Sequence, residues 1–135
     1  MTARDEDGSV LLLTIGYALL ALVLVFVCVD ATSLYLAQKR TQAAADAAAL
    51  AGADGFTFEV RAGEPRAELT DAGVREQAEA VVEADGEVML VSAVTPDGVS
   101  ARVTVSTTWR PPISSIFVPA GVALDATATS RTWLD

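Results

Sequence analysis

Hydrophobic positions are distributed very unevenly along this chain. After a polar start, MTARDEDGS, the twenty residues Val10–Val29 read VLLLTIGYALLALVLVFVCV and carry no charge. At 1.5 Å per residue a helix of that length covers about 30 Å, the thickness of a bilayer core. A domain this small has no interior able to surround such a segment, so the pattern predicts a membrane-spanning helix. Thr14 can bond back to the preceding turn, and Cys28 reads as a small apolar helix residue. The flank before the run holds one Arg against three acids, which is not the basic start of a removable signal. A small-residue cut site near Val29-Asp30-Ala31 keeps that alternative open.

The helical pattern continues beyond Val29. There is no Gly or Pro from Ala18 to Ala51, and the stretch is rich in Ala, Leu, Gln, Lys and Arg, all good helix formers. Gln42 and Asp46 lie four apart and can pair along one face. Gly52 and Gly55 supply the stop. One helix from about Ser9 to Ala51, roughly 65 Å long, is expected. Its outer half is alanine-rich, with two readings: a rigid spacer, or a packing face in a bundle of like helices. In the second, Gln42, Ala44, Asp46 and Ala48 are the candidate partner contacts. Asp30 at the membrane edge either anchors in the interface or pairs with a neighbouring subunit.

Past residue 54 the period changes. Thr70 or Asp71 can cap a helix running to about Ala84, with Val74, Ala78, Val81 and Val82 on one face. Asp85-Gly86 ends it. Glu87–Thr95 is a β-rich run, Pro96-Asp97-Gly98 turns the chain, and Val99, Ala101, Val103 and Val105 alternate with polar residues as a half-buried strand. Pro111-Pro112 breaks the sheet. Ile113, Ile116, Phe117 and Val118 then form a loop or one helical turn, expected to pack on the core; an exposed contact patch is the alternative. Val122, Leu124, Ala126 and Ala128 alternate as a last strand. The fold class expected is α+β: a long N-terminal helix, membrane-spanning and extended outside, then one helix on a three-stranded antiparallel sheet. Three regions follow: a short leader (1–8), the helix (9–53) and an outer domain (54–135).

Composition narrows the function classes. The 135 residues carry nine Lys plus Arg against eighteen Asp plus Glu, a formal charge of −9, with one Cys and no His. That balance argues against nucleic-acid binding, which needs clustered cations. One Cys and no His leave neither a thiolate metal site nor the commonest general base. No nucleophile elbow, Gly-rich phosphate loop or calcium-loop spacing is present. Glu59, Glu64, Glu68 and Asp71 read as solvated charges on an exposed linker, and Glu76, Glu79 and Glu83 as a solvated helix face. The sequence therefore predicts no enzyme, no cofactor and no metal.

Three features carry a resemblance. They are Gly8-Ser9 before the apolar run, Val29-Asp30 at its end, and the block Lys39-Arg40-Thr41-Gln42-Ala43-Ala44-Ala45-Asp46-Ala47-Ala48-Ala49-Leu50-Ala51. In these about fifty residues the chain resembles the TadE/TadG-like proteins of tight-adherence (Flp) pilus assembly, in their short actinobacterial form. The resemblance implies a minor pilin or pseudopilin with a pilin-like outer domain. It implies other pilin-like or Tad assembly subunits and the lipid bilayer as partners, a cytoplasmic N-terminus and an extracytoplasmic domain, in the cell membrane or a surface pilus. It also implies prepilin peptidase as a partner, cutting between Gly8 and Ser9. Two departures stand out: Leu13 lies where pilins carry a Glu, and the leader is acidic. Counting Arg4 against Lys39 and Arg40 favours the opposite orientation. The competing reading is a stand-alone, single-pass anchored extracytoplasmic binding module. Processing at Gly8-Ser9 is expected to leave a chain that begins at Ser9, which the intact mass of the membrane-extracted protein measures; a chain retaining residues 1–8 is a permanent anchor.

Overall fold

The computed structural model describes residues 2–132, with side chains described from residue 6. The outermost residues of the expected leader and outer domain, 1 and 133–135, lie outside that range, as does the Arg4 side chain. Helix α1 runs without interruption over Thr2–Asp54. It is thus longer at both ends than the expected Ser9–Ala51, and it includes Gly8 and Ser9. Two strands follow, β1 (Thr57–Arg61) and β2 (Glu64–Glu68), then helix α2 (Asp71–Asp85) and three more strands, β3 (Met89–Val94), β4 (Ser100–Trp109) and β5 (Val122–Arg131). Strands β3, β4 and β5 form an antiparallel sheet in that order. The α+β plan with one short helix and a three-stranded antiparallel sheet is the architecture expected from the sequence.

Helix α2 starts because the Thr70 hydroxyl accepts the Gly73 N–H at 3.1 Å, satisfying one orphan donor of the first turn. It ends at Gly86, whose φ of 73° is the left-handed cap that glycine takes without strain. Val74, Ala78 and Val82 are buried. Ala101, Val103 and Val105 of β4 are wholly buried, and Ala126 and Ala128 of β5 nearly so. The hairpin turn is held by Asp97, whose carboxylate accepts from the Val99 N–H (3.0 Å), the Ser100 N–H (2.6 Å) and the Ser100 hydroxyl (2.9 Å). Asp71 accepts the Thr95 N–H at 2.7 Å and so ties the start of α2 to the same turn.

The core has an unexpected third wall. Ala44, Ala45, Ala48, Ala49 and Ala53 of α1 join it, from 0 to 7% exposed. Together with Asp30, Ser33, Ala37 and Thr41, these positions recur every three or four residues, a continuous stripe on one helical face. Alanine suits the stripe because it lets a sheet and a helix lie close to the α1 backbone. The closest approach is at its end, where a Cβ on Gly73 would fall 2.7 Å from the Gly55 carbonyl oxygen. Ala44 and Ala48, 7% and 0% exposed, therefore face the chain's own core rather than the partner helix expected of them, with almost no surface left to offer.

β4 runs back along α1. A Cβ at Gly52 would lie 3.3 Å from the Ala101 Cβ, and the Trp109 indole N–H donates to the Ser33 hydroxyl at 3.1 Å. From Ala101 to Trp109 a strand covers about 26 Å, and from Gly52 to Ser33 a helix covers about 29 Å. The two elements are thus matched in length, and the end of β4 returns to the foot of the outer helix.

Two elements were not expected. Residues assigned to a linker form the β1–β2 hairpin, closed by Ala62 and Gly63 at φ of 58° and 87°. Its strands are almost wholly exposed, with Phe56 and Phe58 in edge-to-face contact at 5.2 Å. In β3 the register slips by one residue between Leu90 and Ser92, which leaves Val91 exposed.

Ala48→Leu is expected to destabilise the protein by about 1–3 kcal/mol through overpacking. Ala47→Leu, one residue away on the exposed side, is expected to stay within about 0.5 kcal/mol of wild type. Thermal unfolding of the full chain in detergent, followed by circular dichroism, distinguishes the two.

Candidate functional site

Among the described residues, no three His, Cys, Asp or Glu side chains gather as a cation site needs. The candidate functional region is α1, and it has three zones.

The first is the apolar span. Every residue from Val10 to Val29 is exposed, including large side chains such as Leu12 at 73% and Tyr17 at 65%. An all-round apolar helix has no place in water. α1 is long and apolar enough to cross a membrane. The Thr14 hydroxyl donates to the Val10 carbonyl at 2.9 Å, so this polar group is satisfied within the span. Gly8 and Ser9 lie just before it, exposed and helical.

The second zone is the junction at Asp30. Its carboxylate accepts from the Ile113 N–H at 3.0 Å, the Ser114 N–H at 3.2 Å and the Ser114 hydroxyl at 2.6 Å. These donors open the single 3-10 turn Ser114–Ile116. Asp30 thus has an intrachain role, clamping the β4–β5 loop to α1 one residue beyond the apolar span. Interfacial anchoring or pairing with a neighbour was expected from sequence; neither reading anticipated this partner. The Ser114 hydroxyl lowers the Asp30 pKa most; partial desolvation opposes it, and the two backbone amides add to the lowering.

The loop itself corrects another expectation. Its one helical turn is present, but Ile116 and Phe117 do not pack on the core: they are 79% and 80% exposed, while Ile113 and Val118 are about half as exposed, at 40% and 37%. The buried residue here is Pro111. With Asp30 and Trp109 holding the base of the loop against α1, its apolar tip is left outside.

The third zone is the outer face of α1, opposite the alanine stripe. Gln42 donates to Asp46 at 3.1 Å, the i,i+4 pair expected from the spacing, and both are exposed. Lys39 lies over the Tyr35 ring at 5.5 Å. Leu36 and Leu50 are exposed at 49% and 58%, with Ala43 and Ala47 between them. Spacings of seven, four and three put these four residues on one face.

The pattern of a bare apolar helix continued by an alanine-rich segment has a counterpart among known families. Residues 8–55 match the model of the putative Flp pilus-assembly TadE/G-like family. The match covers α1 from Gly8 to its end, plus Gly55, and stops where the outer domain begins. No curated protein and no solved structure matches the chain.

The lowered pKa sets the pH behaviour of the clamp. A carboxyl depressed in the folded state contributes above its unfolded value of about 3.9 and loses its effect as pH falls through the folded value. The Asp30 carboxyl carbon, followed by NMR, is expected to titrate below that value. Asp30→Asn removes the charge but keeps one acceptor; at neutral pH the Ile113 and Ser114 amides are expected to exchange with solvent faster than in wild type.

Proposed function

We propose that this chain is a minor-pilin-like or pseudopilin-like structural subunit of a Tad (Flp) pilus assembly system, acting through its long N-terminal helix. The observation that carries the reading is the family match at residues 8–55, which falls on α1. It supports a Tad pilus-associated component, with other pilus-assembly subunits as partners. The finer role rests on the helix surface.

The apolar span anchors the chain in the bilayer, with the N-terminus cytoplasmic and the outer domain extracytoplasmic. This orientation follows the family resemblance against the count of Arg4, Lys39 and Arg40. Partner helices pack on the face made by Leu36, Ala43, Ala47 and Leu50, where small residues allow close approach and flanking leucines add apolar area. Gln42 and Asp46 border that face and supply its polar contacts. The opposite face is already taken by the chain's own sheet, so each subunit offers one side only. Prepilin peptidase acts, in this proposal, at Gly8-Ser9 at the cytoplasmic end of the span. Leu13 supplies no carboxylate to pair with a neighbour's freed amino terminus, so register in an assembly comes from the outer half of α1.

Ala43→Arg combined with Ala47→Arg tests this reading. Both positions are exposed, so stability is expected to stay within about 0.5–1 kcal/mol of wild type. Co-isolation with other Tad subunits from cells expressing the whole system is expected to be lost. Unchanged co-isolation would place the contacts elsewhere. A chain that isolates alone both before and after substitution would favour the stand-alone extracytoplasmic binding module.

A further inference from the structure

The β4–β5 loop is set apart by the apolar side chains at its tip. After Arg110, its eleven residues from Pro111 to Gly121, PPISSIFVPAG, carry no charge. Its most exposed large side chains are Ile116 and Phe117, at 79% and 80%. Its Pro, Ser and Gly residues are those of an ordinary turn; the apolar tip between them, held out from the core by a folded base, calls for a different solvent.

The position of the loop identifies that solvent. β4 runs back along α1 toward the apolar span, and its end is fixed by the Trp109–Ser33 bond. The loop that follows is fixed by three hydrogen bonds to Asp30. Asp30 is the first charged residue after the span, so it lies in the headgroup layer, about 5–8 Å thick on each side of the hydrocarbon. Ile116 and Phe117 are two and three residues beyond Ser114. They therefore lie within about 7 and 11 Å of it. Arg110, exposed at the start of the loop, is long enough to meet a phosphate.

The geometry points to the 111–119 loop as a second membrane contact: Ile116 and Phe117 enter the boundary between headgroups and acyl chains while Arg110 meets lipid phosphate. This rests on the reading that Val10–Val29 spans the bilayer. Apolar side chains flanked by a cation are the usual composition of segments that lie in the interface without crossing it. The contact also gives Asp30 a purpose: it holds the loop at the one height along α1 where lipid headgroups are present. The outer domain then stands on the membrane at two points, α1 and the loop.

The test uses the full chain with Cys28→Ser, reconstituted in phosphatidylcholine–phosphatidylglycerol vesicles. Single cysteines are placed by Phe117→Cys, Leu20→Cys and Glu79→Cys and labelled with a nitrobenzoxadiazole fluorophore. Residue 20 reports on the span and residue 79 on the exposed face of α2. Nitroxides on lipid chains and aqueous iodide serve as opposing quenchers. The label at 117 is expected to be quenched by shallow lipid nitroxides several-fold more than the label at 79, and to be shielded from iodide. The label at 20 is expected to respond to deep nitroxides. If 117 behaves like 79 while 20 is in lipid, the loop proposal is overturned and the span stands. If 20 is not quenched by lipid, the span fails and the loop proposal with it. Shielding of 117 that grows with the protein-to-lipid ratio, without lipid quenching, would mean contact between copies and also overturns it. Circular dichroism checks that each variant keeps its fold, as expected at exposed sites.

Discussion

The structure depends on the packing of a sheet and a short helix against the alanine stripe of α1. The outer domain has little core of its own, since α2 and three strands supply mainly Val and Ala. An outer domain of about eighty residues buries a modest fraction of its surface. Adding the face of a pre-formed helix enlarges the buried area without adding chain entropy of comparable size, because the helix continues an apolar segment that is ordered by its own backbone hydrogen bonds. Alanine is the right residue for this face twice over. It favours the helix intrinsically, and it permits the β4 backbone to approach closely enough for valines to fill the remaining space.

That arrangement makes one helix serve two environments in sequence. From Val10 to Val29 every face is apolar and bare; above Asp30 one face is covered by protein and the other presents Lys39, Gln42 and Asp46. Asp30 and Ser33 mark the change. They also join the sheet to the helix where the sheet ends, through Ser114, Ile113 and Trp109. The polar groups at the end of the apolar span are thereby occupied within the chain. What remains for other molecules is the outer side of α1 and the apolar tip of the loop.

Much of this was legible in the sequence because it depends on local periodicity. The charge-free run, the unbroken helix, a cap at Thr70 or Asp71, the Gly86 stop and the alternation of β4 are all read from residue type and spacing. The Gln42–Asp46 pair was visible for the same reason. The failures arise where local rules run out. Alanine at Ala44 and Ala48 is compatible with any close neighbour, so the sequence could not say whether that neighbour was another chain or this one. Asp30 and Ser114 are far apart in sequence, and no local signal announces their bond. The β1–β2 hairpin closes through Ala62-Gly63, without the Asn-Gly or Asp-Gly pair that usually marks such turns, and Pro65 in β2 argues against a strand. β3 falls within the β-rich run Glu87–Thr95, but its slip at Val91 has no local signal. Apolar character alone leaves Ile116 and Phe117 either core or contact patch; their exposure depends on tertiary placement.

The uninterrupted path of α1 has a mechanical consequence. A helix with no glycine or proline between Ala18 and Ala51 bends little, and the domain is fastened to it from Asp30 to Asp54 at many points. Span and domain therefore move as one lever. From Val29 to Asp54 the arm is about 38 Å. Transmembrane helices tilt on average by about 20°, and a change of that size would carry the far end sideways by about 13 Å, roughly the width of one helix with its side chains. In the proposed membrane setting, bilayer thickness and neighbouring helices, which set the tilt, would in this way also set where the domain of residues 57–131 is presented.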